Sequence, residues 1–158
     1  MNKKRIEKML PEALEILKDP KCGICKDGKI NKSYRSAIAS FGAAVTMGGF
    51  RAAVAFFSKD AEKGDSDISR SELIRAIDYL CQTCNIEWRD PNWRPAENVY
   101  SKVMERDDEA IRRLEQDFLH AAVALKLAMN AFDLISEKKG KDVSNEESTN
   151  EESESSVQ

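Results

Sequence analysis

The chain has 158 residues, of which 41% are hydrophobic and 34% charged, with only four prolines and seven glycines. This length fits one domain with a hydrophobic core, and the composition favours helices over sheets. No run of about 18 apolar residues occurs and the N-terminal segment is amphipathic, so we expect neither a signal peptide nor a membrane span, and a cytoplasmic location.

The net charge of -3 is unevenly distributed. Residues 140–158 contain one basic and six acidic residues, which leaves residues 1–139 at +2. The C-terminal segment also has almost no apolar residue to bury and cannot offset its ordering entropy. We therefore expect a helical bundle domain over residues 1–139 and a disordered acidic tail over residues 140–158.

The sequence predicts an all-α fold, a single compact bundle of about five to six helices. The first helix has apolar residues three and four positions apart: Ile6, Met9, Leu10, Ala13, Leu14 and Leu17. Pro11 lies inside this pattern, so the helix either kinks there or begins there. Residues 19–30 are rich in turn-forming residues and are predicted to form a loop.

A long, buried central helix is predicted over residues 32–58, where large apolar residues alternate with small ones. Gly48 and Gly49 each cost about 1 kcal/mol relative to alanine, and they mark the expected break or kink. Ser69 and Glu72 have the spacing of a capping box, which predicts the start of a third helix that runs to Cys84.

The second half of the chain contains a loop and two further predicted helices. Residues 85–95 hold both tryptophans and are predicted to be the loop, after which Pro95 begins a short helix that runs to Met104. Asp107 is expected to cap the last helix, predicted to end near Glu137. Its apolar residues recur every seven positions: Ile111, Phe118, Leu125 and Phe132, and likewise Leu114, Ala121, Ala128 and Ile135.

The four cysteines form two pairs with the same spacing, Cys22 with Cys25 and Cys81 with Cys84. Four thiolates in two such pairs could hold one tetrahedral structural zinc, provided that the fold brings the pairs together. Two alternatives stay open, disulfides and plain reduced thiols, and Cys81 and Cys84 would also pass as small buried residues of the third helix. A redox role is disfavoured for this second pair, because the C-terminal end of a helix destabilises a thiolate.

No catalytic constellation emerges from the sequence. The single histidine, His120, lies beside the apolar stripe of the last helix, where a solvated or interface role is favoured over catalysis. The acidic residues fall mainly on polar faces or in the tail, and no phosphate-binding glycine loop is present. We therefore expect a protein that is not an enzyme and requires no cofactor, with zinc as a structural addition only.

Basic residues recur near the central helix and are candidates for phosphate contacts with a polyanionic partner. We select Lys32, Arg35, Arg51 and Arg75, of which Lys32 and Arg35 lie three positions apart on one helical face. A plain solvated surface is the alternative for each of them individually.

Two stretches carry a family resemblance. The first runs from Ile30-Asn-Lys-Ser-Tyr-Arg-Ser-Ala-Ile-Ala-Ser-Phe-Gly through Gly48-Gly49-Phe to Ala53-Val-Ala-Phe-Phe-Ser, and the second is Leu119-His-Ala-Ala-Val-Ala-Leu-Lys-Leu-Ala-Met-Asn-Ala-Phe-Asp-Leu134. With the Lys/Glu-rich first helix, they resemble the small helical subunit of the type III-B (Cmr-type) CRISPR RNA-guided effector over residues 2–136. The cysteine pairs, the tryptophan-containing loop and the acidic tail are not part of this resemblance.

The resemblance implies an enzymatically silent, all-helical subunit in an antiviral effector. Several copies would stack into an inner filament beside the ribonuclease-bearing backbone subunits and the large subunit, along the guide RNA paired with its target RNA. Phosphate contacts would position that RNA without reading its sequence. Two alternatives of other classes are a zinc-stabilised protein-interaction adaptor without an RNA role and a cysteine-dependent redox enzyme.

Overall fold

The computed structural model describes residues 1–59, 68–84 and 99–136. Over these ranges it contains six helices and three short strands, in agreement with the predicted all-α bundle. The helices are α1 (Lys3–Lys18), α2 (Ser33–Gly48), α3 (Phe50–Phe57), α4 (Arg70–Cys84), α5 (Val99–Met104) and α6 (Asp108–Ala128). The strands are β1 (Cys25–Lys26), β2 (Lys29–Asn31) and β3 (Asp133–Ile135), and single 3-10 turns cover Pro20–Cys22 and Met129–Ala131.

Three sequence predictions lie outside the described residues. They are the tryptophan-containing loop, the start of the short helix at Pro95, and the acidic tail over residues 140–158. Within the described residues, no helix is both long and apolar enough to cross a membrane.

Helix α1 begins well before Pro11. The Asn2 side chain caps it by accepting a hydrogen bond from the Arg5 N–H, which satisfies one of the free donors at a helix start. Pro11 lies on the exposed side of the second half of the helix. The predicted apolar face is buried at Ile6, Met9, Ala13 and Leu17, while Leu10 and Leu14 are partly buried.

The predicted central helix is two helices that meet at Gly49. This residue has φ 87° and ψ 160°, a conformation that residues with a side chain rarely adopt, so the chain turns there between α2 and α3. The two helices fold against each other, and the rings of Phe41 and Phe57 meet edge to face with centroids 5.3 Å apart. The predicted break is therefore confirmed.

Residues 19–30 were predicted to be a loop, and this prediction was wrong for its second half. Strands β1 and β2 pair in an antiparallel hairpin in which Cys25 lies opposite Ile30 and Lys26 opposite Lys29. Asp27 and Gly28 form its turn with φ values of 53° and 72°, as a two-residue type I′ turn requires. An Asp-Gly pair between strand residues is a recognised hairpin signal, and it was present in the sequence.

The end of the last helix was also predicted wrongly. Asp107 caps α6 as expected, its carboxylate accepting from the Ala110 N–H at 2.8 Å, but α6 ends at Ala128 instead of continuing to Glu137. Residues 133–135 form strand β3, which pairs in parallel with β2, and the Ile135 carbonyl accepts a hydrogen bond from the Lys32 N–H at 2.8 Å. Phe132 and Ile135 therefore do not continue the helical stripe.

The core is one cluster of buried apolar side chains centred on α6. This helix packs against α1, α2 and α4, and its predicted stripe is buried from Ile111 to Ala128. Helix α4 lies antiparallel to α1, because its first turn adjoins Cys22, just after α1, while Tyr79 further along it lies beside Glu12 and Glu15 of α1. Helix α3 packs between α2, α4 and α5.

Candidate nucleic-acid interface

Lys32 and Arg35 lie together at the start of α2, where the hairpin and β3 fix the backbone. The Ser33 N–H donates to the Asn31 side chain at 2.9 Å, and the Lys32 N–H is held by β3. Lys32 is exposed and Arg35 is half-buried, and the Arg35 Nε has no hydrogen-bond partner among the described residues. Lys32 and Arg35 are therefore neighbours at the start of α2, as their spacing predicts.

Two lysines that the sequence analysis did not select extend this basic region. Lys26 and Lys29 face each other across the hairpin, and both are exposed. We call Lys26, Lys29, Lys32 and Arg35 the basic end. Its nearby carboxylates are Asp27 in the hairpin turn and Asp133, which lies opposite Lys29 on β3. The Asp-Gly hairpin signal would have placed both lysines beside the start of α2.

Arg51 lies away from the basic end and is already bound within the protein. It follows α2, whose 16 residues span about 24 Å from Lys32. Its guanidinium donates to the Asp108 carboxylate at 3.0 Å and to the Arg106 carbonyl at 2.8 Å, which ties α3 to the start of α6. The structure does not bring Arg51 together with Lys32 and Arg35.

Arg75 also lies in a different setting. Its Nε donates to the Ser71 carbonyl at 3.3 Å, and its side chain lines a cavity between α1 and α4 that also contains Asp19 and Glu72. These carboxylates oppose the approach of a phosphate. Of the four basic residues selected from the sequence, only Lys32 and Arg35 lie together on one surface.

The two cysteine pairs lie at opposite ends of α4. Cys22 borders Glu72 in the first turn of this helix, whereas Cys81 lies nine residues, roughly 14 Å, further along it. A zinc ion would need all four sulfur atoms at about 2.3 Å. Among the described residues, no group of three or more cysteine, histidine, aspartate or glutamate side chains is arranged to hold a metal ion. The fold therefore lends the predicted zinc site no support.

The four thiols are free, and the surroundings of three of them raise the thiol pKa. Burial raises the pKa of Cys22 to about 11, and the carboxylates of Glu72 and Asp19 act in the same direction. Burial and Asp78 raise the pKa of Cys81, and burial and Glu12 raise the pKa of Cys84. The thiolate is the reactive form of cysteine, so these three residues lie in environments unsuited to nucleophilic or redox chemistry.

His120 is buried, which corrects the solvated alternative of the two roles that the sequence favoured. It is 5% exposed, and its Nε2 accepts a hydrogen bond from the Asn2 N–H at 3.0 Å. Beside it, Arg5 and the buried Asp117 form an ion pair at 2.6 Å. Burial, and then the charge of Arg5, lowers the pKa of His120, so the neutral imidazole that the Asn2 contact requires is favoured. This cluster attaches the start of α1 to α6.

We expect the protein to lose stability as the pH falls below the ordinary histidine pKa of 6.5. The folded state disfavours the proton and the unfolded state accepts it, so the free energy of unfolding decreases with falling pH, at no more than about 1.4 kcal/mol per pH unit for one proton. The measurement is urea unfolding between pH 5 and pH 8. In His120→Gln, the loss of stability that comes from protonation of this histidine should disappear. Plots of the free energy of unfolding against pH that stay parallel for the two proteins would contradict the assignment.

A family model described as CRISPR-associated protein (Cas_Cmr5) matches residues 1–132, nearly the whole described region. Neither a curated protein nor a solved structure matches the chain. The family is that of the small subunit of the type III-B Cmr complex, in agreement with the sequence resemblance over residues 2–136. The chain therefore belongs to the Cas_Cmr5 family of CRISPR-associated proteins.

Proposed function

We propose that this chain is a non-catalytic inner-filament subunit of a type III-B CRISPR effector, which supports assembly of the complex and binding of the guide and target RNA in cytoplasmic antiviral defence. The observation that carries this proposal is the family match over residues 1–132. Its partners are further copies of itself, the backbone ribonuclease subunit, the large subunit and the paired RNA. The chain requires no cofactor for this role.

The basic end supports the RNA part of the proposal. Exposed Lys26, Lys29 and Lys32, together with Arg35, give this surface four positive charges within one hairpin and one helical turn. Contacts from such side chains to phosphates add affinity without sequence preference, which suits a subunit of a complex that reads sequence by base pairing.

The zinc-stabilised adaptor is the alternative function, and no observation favours it. The cysteine pairs are separated along α4, and two of the four residues, Cys22 and Cys81, have strongly raised pKa values. A zinc measurement on the purified protein would test this alternative directly: one tightly held zinc per chain, with no effect of the protein on RNA, would support it over the effector subunit.

Reconstitution of the target-bound effector with and without this chain tests the proposed function. We expect the chain to enter in several copies and to lengthen the stretch of RNA that is protected from nuclease. Native mass spectrometry gives the copy number, and footprinting gives the protected length. A complex that forms unchanged while this chain stays free would overturn the proposal.

Reversing two charges at the basic end should weaken RNA binding. For Lys32→Glu/Arg35→Glu in the reconstituted effector, we expect the slope of the logarithm of affinity against the logarithm of salt concentration to become shallower by about 1 to 2, because two phosphate contacts are lost. Fluorescence anisotropy at several salt concentrations measures this slope.

A matched control reverses two charges elsewhere. Lys3→Glu/Lys4→Glu alters two exposed lysines in the first turn of α1, at the opposite end of that helix from the hairpin. This control should keep the original slope. Equal changes in both double variants would show a general charge effect and count against the basic end as an RNA contact.

A further inference from the structure

A cavity of about 320 Å³ lies between the end of α1 and the first half of α4. Its apolar floor consists of Ile16 and Ala76, which are 4% and 5% exposed, and Tyr79 stands at one side. The remaining lining residues are Asp19, Lys21, Cys22, Glu72 and Arg75. A shallower depression edged by Glu12, Glu15 and Lys18 continues from it and shares Ile16, Asp19 and Tyr79. We call the two together the α1–α4 groove.

Glu72 has a buried carboxylate oxygen that finds no hydrogen-bond partner among the described residues. In a complete capping box its carboxylate would accept from the Ser69 N–H, but that N–H donates to the Tyr34 hydroxyl at 3.1 Å. Only half of the box is formed, with the Glu72 N–H donating to the Ser69 Oγ at 3.2 Å. The released carboxylate turns towards Gly23, and its Oε2 is buried with no hydrogen-bond partner among the described residues.

Gly23 makes room for this arrangement. It has φ 72°, and a Cβ on it would overlap the Glu72 carboxylate. A carboxylate with a buried oxygen that has no donor costs free energy, and a cation that pairs with this carboxylate from the cavity would offset part of that cost. The unpartnered Oε2 is thus packed against Gly23, while the Glu72 side chain forms part of the cavity lining.

The charged side chains of the groove favour a ligand with a positive charge. Four carboxylates line it, from Glu12, Glu15, Asp19 and Glu72, against three cations from Lys18, Lys21 and Arg75. One of the cations, Lys18, already pairs with Glu15 at 3.5 Å. RNA phosphates are therefore disfavoured here, and an apolar floor below a carboxylate matches a long aliphatic side chain that ends in a cation.

We propose that the α1–α4 groove receives a lysine or arginine side chain projecting from a partner protein, with the aliphatic stem on Ile16 and Ala76 and the cationic head at Glu72. The groove is then a protein–protein contact, separate from the basic end. This inference rests on the proposed function only in taking that partner to be another subunit of the effector.

The first test uses the isolated protein and two small probes. N-acetyl-arginine amide and N-acetyl-lysine amide are titrated separately while amide chemical shifts are recorded, which distinguishes the two cations. We expect saturable shifts at Cys22, Gly23 and Ala76, and at least a tenfold weaker response in Glu72→Gln. Glu7→Gln removes a carboxylate from an exposed position of α1 outside the groove, and should respond as the unchanged protein does.

The second test is entry of the same variants into the reconstituted effector. We expect Glu72→Gln to lower the apparent affinity for the complex about tenfold and Glu7→Gln to leave it unchanged. Glu12→Gln/Glu15→Gln on the rim should show a smaller loss, and it serves as the test variant if Glu72→Gln does not fold. Equal entry of groove and control variants would overturn the inference while leaving the proposed function intact.

The two tests also separate a failure of the proposed function from a failure of the inference. If no form of the chain enters the effector, the proposed function fails, and the probe titration alone decides the groove: selective shifts support it, and no response or equal responses in Glu72→Gln and Glu7→Gln overturn it. Tighter RNA binding by Glu72→Gln, with shifts at the groove on adding RNA, would replace the proposed side chain by RNA.

Discussion

Replacing Phe118 by alanine is expected to lower the free energy of unfolding by about 3 to 5 kcal/mol, because the large cavity that it leaves cannot fully collapse. Phe118 is 0% exposed near the middle of α6, the helix on which α1, α2 and α4 all pack. Its ring meets that of Phe50 edge to face with centroids 5.1 Å apart, so the substitution also removes a ring contact with α3.

Urea unfolding followed by helical circular dichroism measures this loss. Leu127→Ala is the matched control, since this residue is on the same helix but is 46% exposed, and we expect a loss below about 1 kcal/mol. Similar losses in the two variants would contradict the placement of Phe118 at the centre of the core.

Alanine at the two adjacent glycines should have opposite effects on stability. At Gly49, where φ is 87° and ψ 160°, an L-residue is strained, and we expect Gly49→Ala to lose about 1 to 3 kcal/mol. No atom lies within 4 Å of the position that its Cβ would occupy, so the cost comes from the backbone and not from a clash. The turn between α2 and α3 depends on this conformation.

Gly48 is the last residue of α2, and its added Cβ would meet only the Ala52 Cβ at an ordinary 3.8 Å. Gly48→Ala should therefore gain up to about 1 kcal/mol, because alanine has less conformational freedom to lose on folding. Thermal unfolding of both variants tests the pair. Losses of equal size would mean that the break is not located at Gly49.

Sequence periodicity predicted most of the helices because their burial depends on local spacing. The stripe from Ile111 to Ala128 and the cap at Asp107 can both be read within a few residues. The same stripe continues through Phe132 and Ile135, yet the chain leaves the helix there. What overrides the pattern is pairing with β2, about 100 residues earlier in the sequence, which no local window contains.

The candidate site, like the helices, could be predicted only where its residues are close together in the sequence. Lys32 and Arg35 lie one turn apart, so their shared surface follows from helix geometry alone. The partners of Arg51 and the carboxylates around Arg75 come from distant segments, and the separation of the cysteine pairs follows from the antiparallel placement of α1 and α4. Only the tertiary structure could show that Arg51 and Arg75 lie apart from the surface that Lys32 and Arg35 share.

The parallel pairing of β2 with β3 constrains how the chain folds during its synthesis. Lys29 pairs with Asp133, so the free edge of the hairpin stays unpaired until almost all of the described chain has been made. Closing so long a loop has a high entropic cost, which places this pairing late in folding. Until then the nascent protein presents an open strand edge, the kind of edge through which unfinished chains associate.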